Sequence, residues 1–279
     1  MPSQAFNNNL KWIPKEFNNG WTYSETFKGT QAKIDLLKFL SIKYKHSSLK
    51  EWDQRIQSGQ IKLNKKTIFS NIILNPGDSI DWDRPPWEEP AIPTNWKLIY
   101  DNQDILIINK PSGLPTTPGG GFLKHTLTEL LESRYRQTKY SLVPKPLHRL
   151  GRFTSGIMLC ARQRQTRKKL SRLFQDNLKH DTSFRRIYRG LTKTNKDLQI
   201  GKSIEINTPI KKVPHDLLDG IWNIAEINNS IPVKSSTINK QYRAISRIKL
   251  LERRNNEDLL EITILTGRPH QIRIHLASL

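Results

Sequence analysis

The stretch Pro146-Leu147-His148-Arg149-Leu150-Gly151-Arg152-Phe153-Thr154-Ser155-Gly156 sets two guanidinium groups around a glycine, immediately before the apolar run Gly156-Ile157-Met158-Leu159-Cys160-Ala161. A short apolar run after turn residues reads as a buried strand, so the arginines sit on the turn that feeds it. Arginine suits such a place because its planar fork pairs with phosphate or stacks on a displaced base. Thr154 and Ser155 are expected to fix the turn by local hydrogen bonds. Taken alone, the same residues also make an ordinary basic turn.

Outward from this turn, Lys97-Leu98-Ile99-Tyr100 and Ile105-Leu106-Ile107-Ile108-Asn109 flank the polar Asp101-Asn102-Gln103-Asp104, the composition of a hairpin. Ile187 to Leu191, Gln241 to Ile245 and Leu259 to Leu265 read as further strands, and Leu170, Leu173, Phe174 and Leu178 mark one amphipathic helix. Many strands with few helices, in an antiparallel order, predict an α+β fold: a mixed, largely antiparallel sheet with flanking helices, not a doubly wound parallel one. Upstream, residues 1–20 read as an irregular leader. Two helices follow, one on Ile34, Leu36, Leu37, Phe39 and Leu40, the other opened by serine before Leu49, Trp52 and Ile56, with Lys50 and Arg55 on its polar face. Strands at Gly59 to Asn64 and Ser79 to Trp82, the second after the turn Asn75-Pro76-Gly77-Asp78, complete a small module over residues 21–85. Residues 86–95 are too proline-rich for regular structure and read as a linker, with Trp87 a packing anchor or a stacking platform. The second domain spans residues 96–279.

The chain has 46 Lys and Arg against 25 Asp and Glu in 279 residues, a formal net charge of +21. That surplus favours a polyanion as partner through counterion release, with nucleic acid leading, although a lysine-rich surface by itself has the same composition. The densest basic stretch holds Arg162, Arg164, Arg167, Lys168, Lys169, Arg172, Lys179, Arg185, Arg186 and Arg189 against Asp176 and Asp181, a candidate phosphate track. No apolar run is long enough to span a membrane and no signal-peptide core opens the chain. The single Cys160 excludes an internal disulfide and a cysteine zinc site, and reads as a small buried hydrophobe. His270 and His275 lack acidic or cysteine partners at ligand spacing, so no metal is expected. Gly119-Gly120-Gly121 lacks the Lys-Ser/Thr of a phosphate loop and reads as a flexible loop. A cytoplasmic monomer is expected.

Four ordered segments resemble the RluA-type RNA pseudouridine synthases: Asn109 to Pro115, the His148 to Gly156 turn, Phe184 to Leu191, and Thr266-Gly267-Arg268-Pro269-His270-Gln271-Ile272-Arg273-Ile274-His275-Leu276. The module at 21–85 resembles an S4-like RNA-binding domain. The resemblance implies a cofactor-free isomerisation of uridine in structured RNA, ribosomal or transfer. In that family the turn reads His-Arg-Leu-Asp-Arg-x-Thr-Ser-Gly and the aspartate is the catalytic carboxylate; here Gly151 stands in its place. Tyr188 corresponds to the tyrosine that packs on the target base. Arg273, with Arg268 second, is the expected arginine presented to the cleft. RNA contacts are expected from Arg149, Arg152, Lys50, Arg55, Arg164, Lys168, Lys169, Arg172 and Arg268. Asp176 and Asp181 are the first acids that follow the empty position in sequence. Family members also continue past His275 with a segment that completes the sheet, so the C-terminal end is expected to be truncated. A non-catalytic RNA-binding protein on the same scaffold is the alternative that Gly151 raises.

Overall fold

The computed structural model describes residues 12–28, 34–136, 142–175, 185–213, 220–225 and 240–279. Most of the expected leader, Leu178, Lys179, Phe184, Asp176 and Asp181 lie outside them. The chain divides into two compact units, the first formed by Met1–Ile34 with Asp53–Ser171 and the second by Asp35–Trp52 with Arg172–Leu279. Helices α1 (Leu36–Lys43), α2 (Leu49–Gln57), α3 (Leu127–Tyr135), α4 (Arg164–Gln175) and α5 (Gln271–Ala277) accompany antiparallel sheets, an α+β architecture.

In the first unit the predicted hairpin is present as Lys97–Asp101 paired with Ile105–Lys110, and Gly156–Ala161 adds beside it in the register Ile105↔Ala161 to Lys110↔Gly156. Alternation buries Leu106, Ile108, Met158 and Cys160 completely. Burial pushes the Cys160 thiol up to about 12, as befits a packing residue. Thr126 caps α3 by accepting from the Glu129 amide, and Leu127 and Leu131 bury the (i, i+4) face. A smaller sheet runs Trp21–Thr26, Ser79–Arg84, Ile61–Leu63, Lys66–Thr67.

The leader and the proline-rich stretch are not irregular throughout: Trp12–Ile13 pairs with Ile92–Pro93, and Glu16–Phe17 with Glu88–Glu89. The reason is Glu89. Its buried carboxylate accepts from the Asn18 amide (2.8 Å) and from the backbone N–H groups of Leu123 (2.8 Å), Lys124 (3.2 Å) and His125 (2.8 Å). Burial pushes its pKa up, but these donors outweigh burial and hold it below the usual carboxylate range. Trp87 donates its indole N–H to the Gly121 carbonyl at 2.7 Å, an anchoring contact.

In the second unit Asp35 caps α1 through the Lys38 amide, and Ser48 and Glu51 form a reciprocal capping box at the start of α2. The main sheet runs Ile187–Lys193, Glu257–Ile264, Ser246–Arg254, Ser203–Ile206. Leu198, Ile206, Ile248, Leu250, Leu260, Ile262 and Ile264 form its core, against which Ile272 and Leu276 of α5 pack. The expected strand from Gln241 to Ile245 is shorter, Gln241–Tyr242, because the chain then enters the long strand beginning at Ser246.

Candidate functional site

The Gly151 turn is braced from several sides. The Thr154 N–H donates to the Gly151 carbonyl at 3.0 Å, which puts Arg152 and Phe153 at the turn's centre. Thr116 donates its hydroxyl to the Leu150 carbonyl (2.8 Å) and accepts from the Leu150 N–H (3.3 Å). The segment after Lys110 clasps the other side: the Gly113 N–H donates to the Arg152 carbonyl (2.8 Å) and the Ser112 hydroxyl to that of Phe153 (2.9 Å). Lys110 itself is buried and donates to the carbonyls of Leu114 (2.7 Å), Pro111 (3.0 Å) and Arg152 (3.3 Å). Burial pulls its pKa down to about 8. The closing bonds are thus backbone bonds and bonds from the Lys110 loop, not the local side-chain bonds expected of Thr154 and Ser155.

The two arginines of the turn separate in role. Arg152 donates Nε to the Gly113 carbonyl (3.2 Å) and lies over the rings of Phe122 (4.6 Å) and Phe153 (5.0 Å), so it braces the turn. Arg149 is exposed and has no hydrogen bond or ion pair among the described residues.

Gly151 is not a glycine that the backbone requires. Its φ lies outside the left-handed region, and a Cβ there would meet only Thr154 Oγ1 at 3.4 Å. Gly113 differs, with φ +94° and Pro93 Cδ at 3.3 Å from a built Cβ. A side chain is therefore admissible at position 151.

In the second unit Tyr188 packs against the core. Burial pushes its hydroxyl pKa up, while the Arg186 charge pulls the other way. Arg186 is the residue that sequence reasoning left among many basic neighbours. Its Nε and Nη2 are buried without a hydrogen-bond partner among the described residues. A Cβ on Gly267 would stand 2.6 Å from Arg186 Nη1, so the glycine makes room for the guanidinium. Burial pulls the Arg186 pKa down, the mark of a charge short of solvation.

The Thr266 to Leu276 segment is largely scaffold. Buried Gln271 accepts from the Thr266 hydroxyl (2.8 Å) and the Arg268 N–H (3.0 Å), and donates to the Ile245 carbonyl (2.9 Å) and Ser246 Oγ (3.0 Å). Buried His275 bonds Ser246 Oγ at 2.9 Å and the Thr208 carbonyl at 3.0 Å. Among the described residues no group of His, Cys, Asp and Glu could hold a metal ion. Helix α5 starts at Gln271, with His270 as N-cap at φ +55°. Arg268 donates to the Arg243 carbonyl at 2.9 Å, whereas Arg273 is exposed on α5 without a partner among the described residues.

Of the basic track, Arg164, Lys168, Lys169 and Arg172 are exposed along α4. Arg164, Arg167 and Lys168 line a shallow depression of about 540 Å³ with Gln165 and Ser171. Arg162 leaves the track: it is buried and paired with Asp101 at 2.8 Å. Lys50 is exposed on α2, but Arg55 is not on an open polar face, because its guanidinium lies 4.7 Å over the Trp82 ring.

The family model described as RNA pseudouridylate synthase matches residues 104–278, a span holding the Gly151 turn, Tyr188 and the α5 segment. Over 244 residues the chain is 36% identical to an uncharacterized RNA pseudouridine synthase of Synechocystis sp., covering 88% of this chain and 75% of that one. It is 32% identical over 292 residues to RNA pseudouridine synthase 5 of Arabidopsis thaliana, covering 96% and 74%. It is 29% identical over 248 residues to ribosomal large subunit pseudouridine synthase D of Xylella fastidiosa, covering 85% and 64%. On the family match and these identities, the chain belongs to the RNA pseudouridylate synthase family.

Proposed function

We propose that this chain acts as a cytoplasmic monomer on a uridine in structured ribosomal or transfer RNA, and that the carboxylate the isomerisation uses comes from outside position 151. The reaction breaks the C1′–N1 bond, turns the base and joins C1′ to C5; C5 gives up its proton and N1 gains one, so substrate and product have the same atoms. Glycine can neither attack the sugar or base nor take the C5 proton, and loss of a nucleophile lowers a rate by orders of magnitude. In this reading Tyr188 packs on the target base, Arg149 contacts the displaced strand, and Lys50 with Arg164, Lys168, Lys169 and Arg172 follows the phosphates. The order α1, α2, then the strands Ile61–Leu63 and Ser79–Arg84 supports reading residues 21–85 as an S4-like RNA-binding module.

The observation that carries the proposal is the Gly151 turn. A buried lysine and a double clasp hold it in a conformation open to a side chain, leaving Arg149 exposed beside it. That same Gly151 favours the second reading, an RNA-binding protein that does not isomerise. Purified chain incubated with ribosomal and transfer RNA transcripts carrying tritium at uridine C5 separates the two, since joining C5 to C1′ releases the label. Release that Tyr188→Phe and Arg149→Ala abolish is expected; no release from any transcript, with RNA binding intact, would establish the second reading.

A further inference from the structure

The strand Trp21–Thr26 pairs with Ser79–Arg84 so that Tyr23 lies opposite Trp82 and Trp21 opposite Arg84. Directly opposed residues share a face, and so do residues two apart, which gathers Trp21, Tyr23, Trp82 and Arg84 on one side of the hairpin. The Tyr23 and Trp82 rings stack at 5.3 Å with 25° between planes. Two cations cap the group: Arg55 lies 4.7 Å over Trp82, and Arg84 lies 3.7 Å over Trp87 and 6.0 Å from Trp82. Packing alone would draw these rings inward, yet Trp21 is 54% and Tyr23 43% exposed. Beside them opens a depression of about 390 Å³ lined by Asn19, Gly20, Trp21, Thr22, Asp83 and Arg84, its one acid, Asp83, already paired with Lys62 at 2.7 Å.

We propose that this face is a stacking platform for unpaired bases of an RNA strand, a contact separate from the Gly151 turn. The inference rests on the reading of the chain as an RNA-acting protein. Every base offers a π-face, so exposed aromatic rings accept a single strand without reading its sequence. Guanidinium groups over the rings supply the positive charge that a polyanion needs and an apolar protein partner does not. Alternation helps as well: Asp81 and Asp83 fall on the opposite face, and Asp83 is already held by Lys62 at 2.7 Å and by the Thr22 hydroxyl at 2.6 Å. On the platform face the remaining acid, Glu25, is half-buried.

The test measures binding of the full chain to a fluorescent eight-nucleotide oligouridine and to a blunt RNA duplex by anisotropy, at several salt concentrations. Trp21→Ala and Tyr23→Ala are each expected to weaken oligouridine binding on the order of 5- to 100-fold, the range for one lost base stack. Duplex affinity should stay within about twofold, and the salt dependence should keep its slope because no phosphate contact is removed. Trp21→Phe should retain most of the affinity, which separates stacking from misfolding, and Ser24→Ala on the opposite face should bind as the wild type does. Oligouridine binding unchanged in the Trp21→Ala/Tyr23→Ala double variant overturns the platform while leaving the RNA reading intact. A wild-type chain that binds the duplex but not oligouridine also overturns it alone; a wild-type chain that binds neither overturns both.

Discussion

Replacing Arg186 by methionine is expected to stabilise the fold while removing the cation whose charge acts on Tyr188. Arg186 Nε and Nη2 are buried donors without partners among the described residues, and each such donor costs about 1–3 kcal/mol. Methionine keeps most of the aliphatic length, so little packing is lost and the charge no longer has to be desolvated. The two donors together cost about 2–6 kcal/mol, and losing the guanidinium's contact with the Phe174 ring at 5.8 Å offsets about 0.5–2 kcal/mol of it. The variant should therefore gain about 1–4 kcal/mol in urea denaturation, with the midpoint of thermal unfolding rising by roughly 2–4 °C for each kcal/mol in a chain of this size. Because the Arg186 charge pulls the Tyr188 pKa down against burial, that hydroxyl should titrate at still higher pH in Arg186→Met, measurable by ultraviolet absorbance. Tritium release from RNA should fall. A more stable protein with less activity marks a group held unsatisfied for a ligand. If Arg186→Met instead loses more than about 1 kcal/mol, the guanidinium makes a bond that holds the fold and the reasoning fails.

Three further outcomes follow from the geometry. Glu89→Gln should lose roughly 2–5 kcal/mol at neutral pH, since an amide nitrogen cannot accept from the backbone donors now shared by Glu89. Because the folded pKa of Glu89 lies below its ordinary value, its stabilisation is present above the carboxylate range and is lost as pH falls through the folded value, so the wild type and Glu89→Gln should converge in acid. For Lys110, with a folded pKa of about 8 against an ordinary 10.5, the unfolded chain holds the extra proton between those values. Wild-type stability relative to Lys110→Met should then rise with pH across that window by about 3 kcal/mol, and a flat difference would contradict the buried amine. Gly151→Ala should change stability by no more than about 0.5 kcal/mol in urea, whereas Gly113→Ala, at φ +94°, should lose about 1–2 kcal/mol.

The elements legible in the sequence were those whose signal is local. The hairpin Lys97–Asp101 with Ile105–Lys110 shows as two β-branched runs around polar residues, and α4 shows as apolar residues at helical spacing. Ser246–Arg254 did not show, because Ser-Arg-Ile-Lys-Leu-Leu-Glu-Arg-Arg reads as a basic surface segment. Its buried positions Ser246, Ile248 and Leu250 become evident only in register with Glu257–Ile264. The pairing of the leader depends on Glu89 meeting donors far along the chain, which leaves no local trace. The site divides the same way. The turn and Tyr188 follow from recurring segments, whereas the Arg152 brace depends on Gly113 and Phe122, and the room for the Arg186 guanidinium depends on Gly267. Composition cannot distinguish an arginine waiting for phosphate from one holding a carbonyl.

The most direct test of the account is mass-spectrometric mapping of pseudouridine in ribosomal and transfer RNA from cells lacking this gene, complemented by the wild-type chain or by Gly151→Asp. A site lost in the deletion is expected to return with the wild-type chain, because the chemistry proceeds without a carboxylate at position 151. A site that returns only with Gly151→Asp would contradict that expectation and show the natural chain to be an RNA-binding scaffold.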